Sequence, residues 1–415
     1  MKTTSLGPSA LALLAFATAA FAGTAPWPQL HGPRRDNQST ETGLLEQWPE
    51  GGPKLAWAFA ECGRGFAGIS VADGRIYIGG DFGSEEFVLA LDLDGKLLWK
   101  TPNGKAWRGP YPGARTTPTW DDGVLYHMNP HARLAALDAA TGKERWALDL
   151  KGAYNAKTSM WAFAENILVD GPVLYAAPGG TKGRVVALDK ATGKPVWVNT
   201  EIADGAAYCS PILIDHNGRR LLVTILQKSI VALDPKTGKL LWSHPHTTKH
   251  DQNVTHPLYH RGLLYASSGH GTGGRLLKLS ADGTSVAELW LNKDLDNCHG
   301  GVLLVGGHVY GSGCRLFRKG LVCVDFATGK TAWSDPRFGP LSLTGAQGMI
   351  YAVDRQGRAT LIRASAERSN VVSQFQVPRR NRSPFLSHPV ICGGRLYIRH
   401  ADTLYAYDIR ATPRR

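Results

Sequence analysis

The sequence predicts an all-β protein, a single eight-bladed β-propeller of four-stranded antiparallel blades, on three observations. An aromatic-ended phrase recurs at near-constant spacing, each interval carries apolar runs for four short strands, and the last interval lacks a fourth strand that an N-terminal segment can supply. Composition agrees: of 415 residues 48 are Gly, and 13 Tyr and 12 Trp stand against 4 Met. Glycine well above the ~7% of average usage calls for many turns. An apolar share of 43% excludes a disordered or collagen-like chain. No interior stretch holds the ~18 apolar residues of a membrane span, so no transmembrane anchor is expected.

Residues 1–22 read as a signal peptide. Lys2 precedes an apolar run over 11–21, and Ala20-Phe21-Ala22 places small residues where a signal peptidase cuts, before Gly23. Export to the periplasm or beyond follows as the expected localisation. Residues 23–53 are rich in Pro, Gly and polar side chains and are expected to run irregularly over the ring. Lys54–Phe59 (KLAWAF) reads as a fourth strand with no blade before it. Five phrases then align: LDLDGKLLW ending at Trp99, LDAATGKERW at Trp146, LDKATGKPVW at Trp197, LDPKTGKLLW at Trp242 and VDFATGKTAW at Trp333. Weaker copies end at Trp290 and Phe375, and from Trp57 onward the closing aromatics step by 42 to 51 residues.

Each unit begins with an apolar strand, a Gly turn and a second apolar strand, as in VADGRIYIGG and WDDGVLYHM. A third strand of the VVALD type leads into Asp-x-x-Thr-Gly-Lys, where Asp can accept from amides two or three residues on and Gly takes the positive φ of the corner. The terminal Trp lies on the fourth strand. No segment shows an extended 3.6-residue period, so helices should be few. The eighth unit stops after three strands, and 54–59 completes it, closing the ring without an open edge. The propeller then spans 54–410, with a basic tail over 411–415.

The Ala-x-Asp-x-x-Thr-Gly-Lys-x-x-Trp signature resembles the tryptophan-docking repeat of the pyrroloquinoline-quinone (PQQ) propeller superfamily. With the opening WPQLHGPRRD and the NCHGGVLLVGGHVYGS segment, the chain resembles the short PQQ-like propellers of planctomycete-type bacteria. Those are often likened to the propeller subunit of the outer-membrane β-barrel assembly machinery. The resemblance implies that Trp57, Trp99, Trp146, Trp197, Trp242, Trp290 and Trp333 wedge between neighbouring blades, with Phe375 substituting in the seventh. It also implies an eventual enzyme: PQQ in the central funnel, a Ca²⁺ held by carboxylate and amide oxygens, and an Asp or Glu as base. The enzymes of the family typically carry two adjacent cysteines and insertions that roof the pocket; this chain has no Cys-Cys and little sequence beyond its blades.

Loops joining one blade's outer strand to the next blade's inner strand reach the funnel mouth. They carry Arg64 and Phe66, Trp107 and Arg115, Tyr154 with Trp161 and Glu165, Tyr208, His250 with Asp251 and Asn253, Asn297 with His299, and His388. Arg64, Arg115, Trp161, Asn253 and His299 are the candidate ligand-binding set, since Arg, aromatic and amide groups together suit an anionic planar cofactor or a sugar. Glu165 and Asp251 are the candidate catalytic bases. All of these also have the ordinary reading of loop residues satisfied by backbone or water.

Several motifs fail on context. The run from Gly269 to Gly274 (GHGTGG) has the glycines of a dinucleotide loop but no helix after it. His250, His256 and His260 fall across a loop and a strand, and no metal site is assigned. Six cysteines are too sparse for a disulfide scaffold and form no CxxC pair; Cys314 and Cys323 are placed to face each other across a hairpin, or are simply buried thiols. The formal charge of +13 suits an anionic polysaccharide or an acidic partner, while nucleic acid lacks any recognisable motif. The functional expectation is therefore an exported, non-catalytic binding or scaffold module of the cell envelope, taking an envelope protein, a small ligand or a polysaccharide. The alternatives are a PQQ- and Ca²⁺-dependent dehydrogenase of an alcohol or sugar, and a polysaccharide-binding propeller. No cofactor is firmly implied, and the oligomeric state is not legible.

Overall fold

In the computed structural model, which describes residues 26–314 and 319–411, the repeat becomes eight sheets arranged as blades. The expected signal peptide and most of the basic tail lie outside the described residues. The inner strands of blades 1 to 8 are Ile69–Ala72, Thr119–Asp121, Leu168–Asp170, Ile212–His216, Leu258–His260, Val302–Val305, Leu341–Ala346 and Val390–Cys392. Each leads outward through three more antiparallel strands, and in blade 8 the outermost is Lys54–Phe59, paired with Thr403–Asp408. The N-terminal strand therefore closes the ring, as the sequence requires. Among the described residues one short α-helix, Leu150–Tyr154, interrupts the strands, and no helix is long and apolar enough to cross a membrane.

The core is distributed. Eight apolar clusters each span two neighbouring blades. That follows from strand periodicity: both faces of an inner or middle strand are covered by adjacent blades, so these strands read as continuous apolar runs. Outer strands alternate with solvent, as in Glu144–Asp149.

Six of the seven tryptophans that the resemblance singles out bond to the following blade. Trp57, Trp99, Trp146, Trp197, Trp290 and Trp333 each donate Nε1–H to a backbone carbonyl of the next blade: Leu93, Ala139, Lys190, Pro235, Phe326 and Ser365. A tyrosine from its own blade's second strand packs on each ring, as Tyr77 does on Trp99. Trp242 differs, its Nε1 being buried with no hydrogen-bond partner among the described residues. The next blade there lacks the Asp-x-x-Thr-Gly-Lys turn, and its Gly283 faces Leu221 and His216 instead. Phe375 packs over Gly52, whose turn serves blade 8.

Residues 27–39 depart from the expectation of an irregular cover over the ring. The segment goes through it. Trp27 exchanges two backbone hydrogen bonds with Val71 of blade 1, and Trp120 N–H of blade 2 donates to Pro28. Arg35 donates to the carbonyls of Ile167 (blade 3) and, at 2.8 Å, Pro211 (blade 4). His31 meets His256 of blade 5, and Gln38 donates to Leu304 of blade 6. Asn37 and the short strand Gln38–Ser39 join Leu343 and Gly345 of blade 7, the latter in parallel. The His31 ring lies 4.4 Å from that of His388, just before blade 8. One thirteen-residue stretch, 27–39, thus touches all eight blades and plugs the central channel.

Candidate functional site

Above the plug the inter-blade loops enclose a funnel-shaped cavity of about 440 Å³. Its floor is Leu30 and His31 of the plug, and its walls carry aromatic and cationic side chains: Phe66, Tyr111, Trp161 and Tyr208 with Arg115, Lys249 and Arg355. His250, His256, His270, His299 and His388 complete a histidine-rich lining. The loops reach this point because each outer strand must return to the axis to begin the next blade. A second cavity of about 480 Å³ lies on the other side of the plug, between Arg34, Arg35 and Asp36 and the inner strands of blades 4 to 6.

Of the residues picked from the sequence, Arg115, Trp161 and His299 line the funnel. Arg115 donates to the carbonyls of Pro110 at 2.6 Å and Tyr111 at 2.7 Å. Its Nε is buried with no hydrogen-bond partner among the described residues. Burial pushes its pKa down to about 10, which marks a cation that an incoming anion would stabilise. Trp161 packs edge-on against Tyr208 and His250. Phe66, Tyr208, His250 and His388, from the same loops, are also on the lining.

The other four are elsewhere. Arg64 is exposed, and its backbone bridges to Asp81. Asn253 is fully buried: its amide donates to Leu226, Gln227 and His246 carbonyls and its oxygen accepts from Ser268, a knot that fixes the loop. Glu165 is buried away from the funnel lining, its two carboxylate oxygens each 2.8 Å from Ala177 N–H, and desolvation lifts its pKa to about 8. Asp251 sits in the 3-10 turn Lys249–Asp251 and does not line the cavity. Neither carboxylate is placed to take a proton from a ligand there.

Sequence reasoning missed Leu30 and His31, because the plug stands outside the repeat. It missed Lys249 and Arg355 for want of any repeat signal, and weighed His256 only as a metal ligand. It set aside the loop from Gly269 to Gly274, which indeed joins two strands of blade 5 with no helix following, yet places His270 at the cavity. It also faced Cys314 with Cys323. In the structure Cys323 lies across the hairpin from Tyr310, while Cys314, beyond the strand end, has its sulfur 2.6 Å from that of Cys298.

Fold and site together define a tryptophan-docked propeller with a funnel open on one face and plugged by its own N-terminal segment. The family model described as outer membrane protein assembly factor BamB matches residues 84–335, and the chain belongs to this family of PQQ-like propellers. Among curated relatives, a quinohemoprotein alcohol dehydrogenase of Pseudomonas putida is 29% identical over 242 residues, 53% of this chain and 33% of that protein. BamB of Nitrosomonas eutropha is 26% identical over 212 residues, 48% of this chain and 45% of that protein. The chain thus spans between a third and half of these relatives' lengths. Two solved structures share the fold. BamB from Moraxella catarrhalis has a TM-score of 0.62 at 18% identity, covering 86% of this chain and 99% of its own. The quinohemoprotein alcohol dehydrogenase from Comamonas testosteroni has 0.65 at 15% identity, covering 94% and 81%.

Relatives that are quinoprotein dehydrogenases raise PQQ and its cation as a test of the funnel. Among the described residues no Asp or Glu lines it. The amide oxygen of Asn166, which does, already accepts from Thr117 N–H. A hard cation needs six to eight oxygen ligands, carboxylates foremost, so these residues do not fit a Ca²⁺-bound quinone. They do fit an anion.

Proposed function

We propose that this chain is a non-catalytic binding module of the cell envelope whose funnel takes a small anionic ligand with a flat or ring-shaped face. One observation carries the reading: the cavity combines Arg115, Lys249 and Arg355 with Phe66, Tyr111, Trp161 and Tyr208 and has no carboxylate among the described lining residues. Cations neutralise and orient an acid group, the aromatic faces stack on its ring, and no general base stands by for chemistry. The likeness to BamB as much as to dehydrogenases supports a binding role and an envelope location.

Titration of the purified chain with a planar carboxylate tests it, PQQ itself being a convenient probe, followed by quenching of tryptophan fluorescence. Saturable quenching that ignores Ca²⁺ and weakens at least tenfold in Arg115→Ala is expected, because loss of a charge-assisted hydrogen bond costs ~1.5–3 kcal/mol. Binding that requires Ca²⁺, with dye-linked oxidation of an alcohol, would return the protein to the dehydrogenases.

A further inference from the structure

Three side chains in the funnel wall form a cluster that the ligand reading does not use. His270 comes from the hairpin loop 269–272 between the second and third strands of blade 5, Leu263–Ser268 and Gly273–Leu279. Cys298 comes from the loop between blades 5 and 6, and Cys314 follows blade 6's second strand, His308–Ser312. A ring nitrogen and the two sulfurs all lie within 4.8 Å of one another. We propose that His270, Cys298 and Cys314 bind a thiophilic divalent cation, Zn²⁺ by preference, with a fourth coordination position facing the funnel.

The imidazole is already set as a ligand. His270 Nε2 lies 2.6 Å from Gln252 Oε1, an acceptor, so that nitrogen carries the proton. The lone pair is then on Nδ1, which is buried and has no hydrogen-bond partner among the described residues. A metal-bound histidine typically has this arrangement: one nitrogen free to coordinate, the other held by a donated hydrogen bond that fixes ring and tautomer. The backbone is held as firmly. His270 adopts φ 60°, the left-handed region that residues other than Gly enter uncommonly. One buried carboxylate, Asp296, accepts from both Gly271 N–H at 3.1 Å and Cys314 N–H at 2.9 Å. It thereby ties the histidine loop to the second cysteine. Gly269 has no room for a side chain, since a Cβ there would stand 2.5 Å from the Cys298 sulfur.

Ligand type chooses the metal. Two sulfurs and an imidazole suit Zn²⁺ and disfavour Ca²⁺ or Mg²⁺. Around one tetrahedral zinc with Zn–S near ~2.3 Å the sulfurs stand about 3.7 Å apart, so rotation about the Cα–Cβ bonds must open the present 2.6 Å pair. Three protein ligands with an open fourth position make a site that can also accept an exogenous anion.

The test is a titration of the reduced, full chain with Co²⁺, then competition by Zn²⁺. Binding of one equivalent should bring thiolate-to-cobalt charge-transfer absorption and the intense visible bands of tetrahedral cobalt, both erased by Zn²⁺. Cys298→Ser should cut the charge transfer by about half or more, since only the Cys314 thiolate remains, and His270→Ala should shift the visible bands. Gln252→Ala, which touches no ligand sulfur, should weaken Zn²⁺ binding about 10–100-fold. Melting curves identify any variant that fails to fold, in which case the remaining two carry the decision. The proposal is overturned by absence of charge transfer in the reduced chain, or by Co²⁺ spectra unchanged in both His270→Ala and Cys298→Ser. It is equally overturned if peptide mapping under non-reducing conditions finds Cys298 and Cys314 joined as a disulfide in the protein as isolated.

Discussion

Gly142 shows how two demands meet at one residue. It lies in the Asp-x-x-Thr-Gly-Lys turn at φ 72°, and a Cβ there would stand 2.6 Å from the Trp99 ring of the preceding blade. The same holds for Gly193 beneath Trp146 and Gly329 beneath Trp290. Positive φ alone would tolerate Asn; the docked indole does not. The preceding aspartate, Asp138, accepts from Thr141 N–H and Oγ1–H, which holds the corner shut. Gly142→Ala should therefore destabilise the fold by about 1–3 kcal/mol, from overpacking added to backbone strain. Urea unfolding measures this, and a change under half of that range would mean the turn yields without disturbing Trp99.

At the scale of an element, the plug over 27–39 has the most consequence for function, since it separates the funnel from the cavity on the other side. A buried arginine anchors it. Arg35 is 3% exposed and spans the carbonyls of blades 3 and 4 while its charge acts on Glu165. Arg35→Ala would leave the buried Pro211 carbonyl without its donor and the Ile167 carbonyl with Thr119 Oγ1 alone, a loss of about 1–3 kcal/mol. It should also raise proteolytic cleavage within 27–39 at native temperature, because Arg35 is the segment's tie to blades 3 and 4 and local opening governs such cleavage. An Arg35→Ala chain as stable and as resistant as the parent would show that backbone pairing at Trp27 and Gln38 suffices.

The whole molecule answers to pH through groups buried near its axis. His31, His256 and His388 are held below the usual histidine range, chiefly by desolvation. The unfolded chain binds protons there that the folded chain refuses, so stability is full above about pH 6.5 and falls as pH drops below it. Glu165 works in the opposite sense. Desolvation raises its pKa from 4.5 to about 8, so the folded chain keeps a proton that the unfolded chain has released. Its contribution is full below 4.5 and is lost as pH rises toward 8. Glu165→Gln should then raise the melting temperature near pH 8 and leave it unchanged near pH 4.5, as calorimetry across that range would show. Equal shifts at both ends would mean that Glu165 is ionised throughout.

By itself the sequence determined the ring. Strand and turn obey local rules that recur from blade to blade, and a docking tryptophan closes seven of the eight, so blade count, closure by Lys54–Phe59 and the loops that reach the funnel were all legible. Arg115, Trp161 and His299 followed from knowing which loops return to the axis. Tertiary structure alone decided what occurs once. The plug has no repeat to announce it, and only the backbone path brings His31 against His256 and His388. Asn253 and Glu165 looked like ligands because their types were right, but their hydrogen-bonding capacity is taken up by backbone groups that only packing supplies. Cys298 and Cys314 are sixteen residues apart in sequence and His270 stands in another blade. They meet because neighbouring blades bring their loops to one wall of the funnel, a proximity set by closure of the ring rather than by any local pattern.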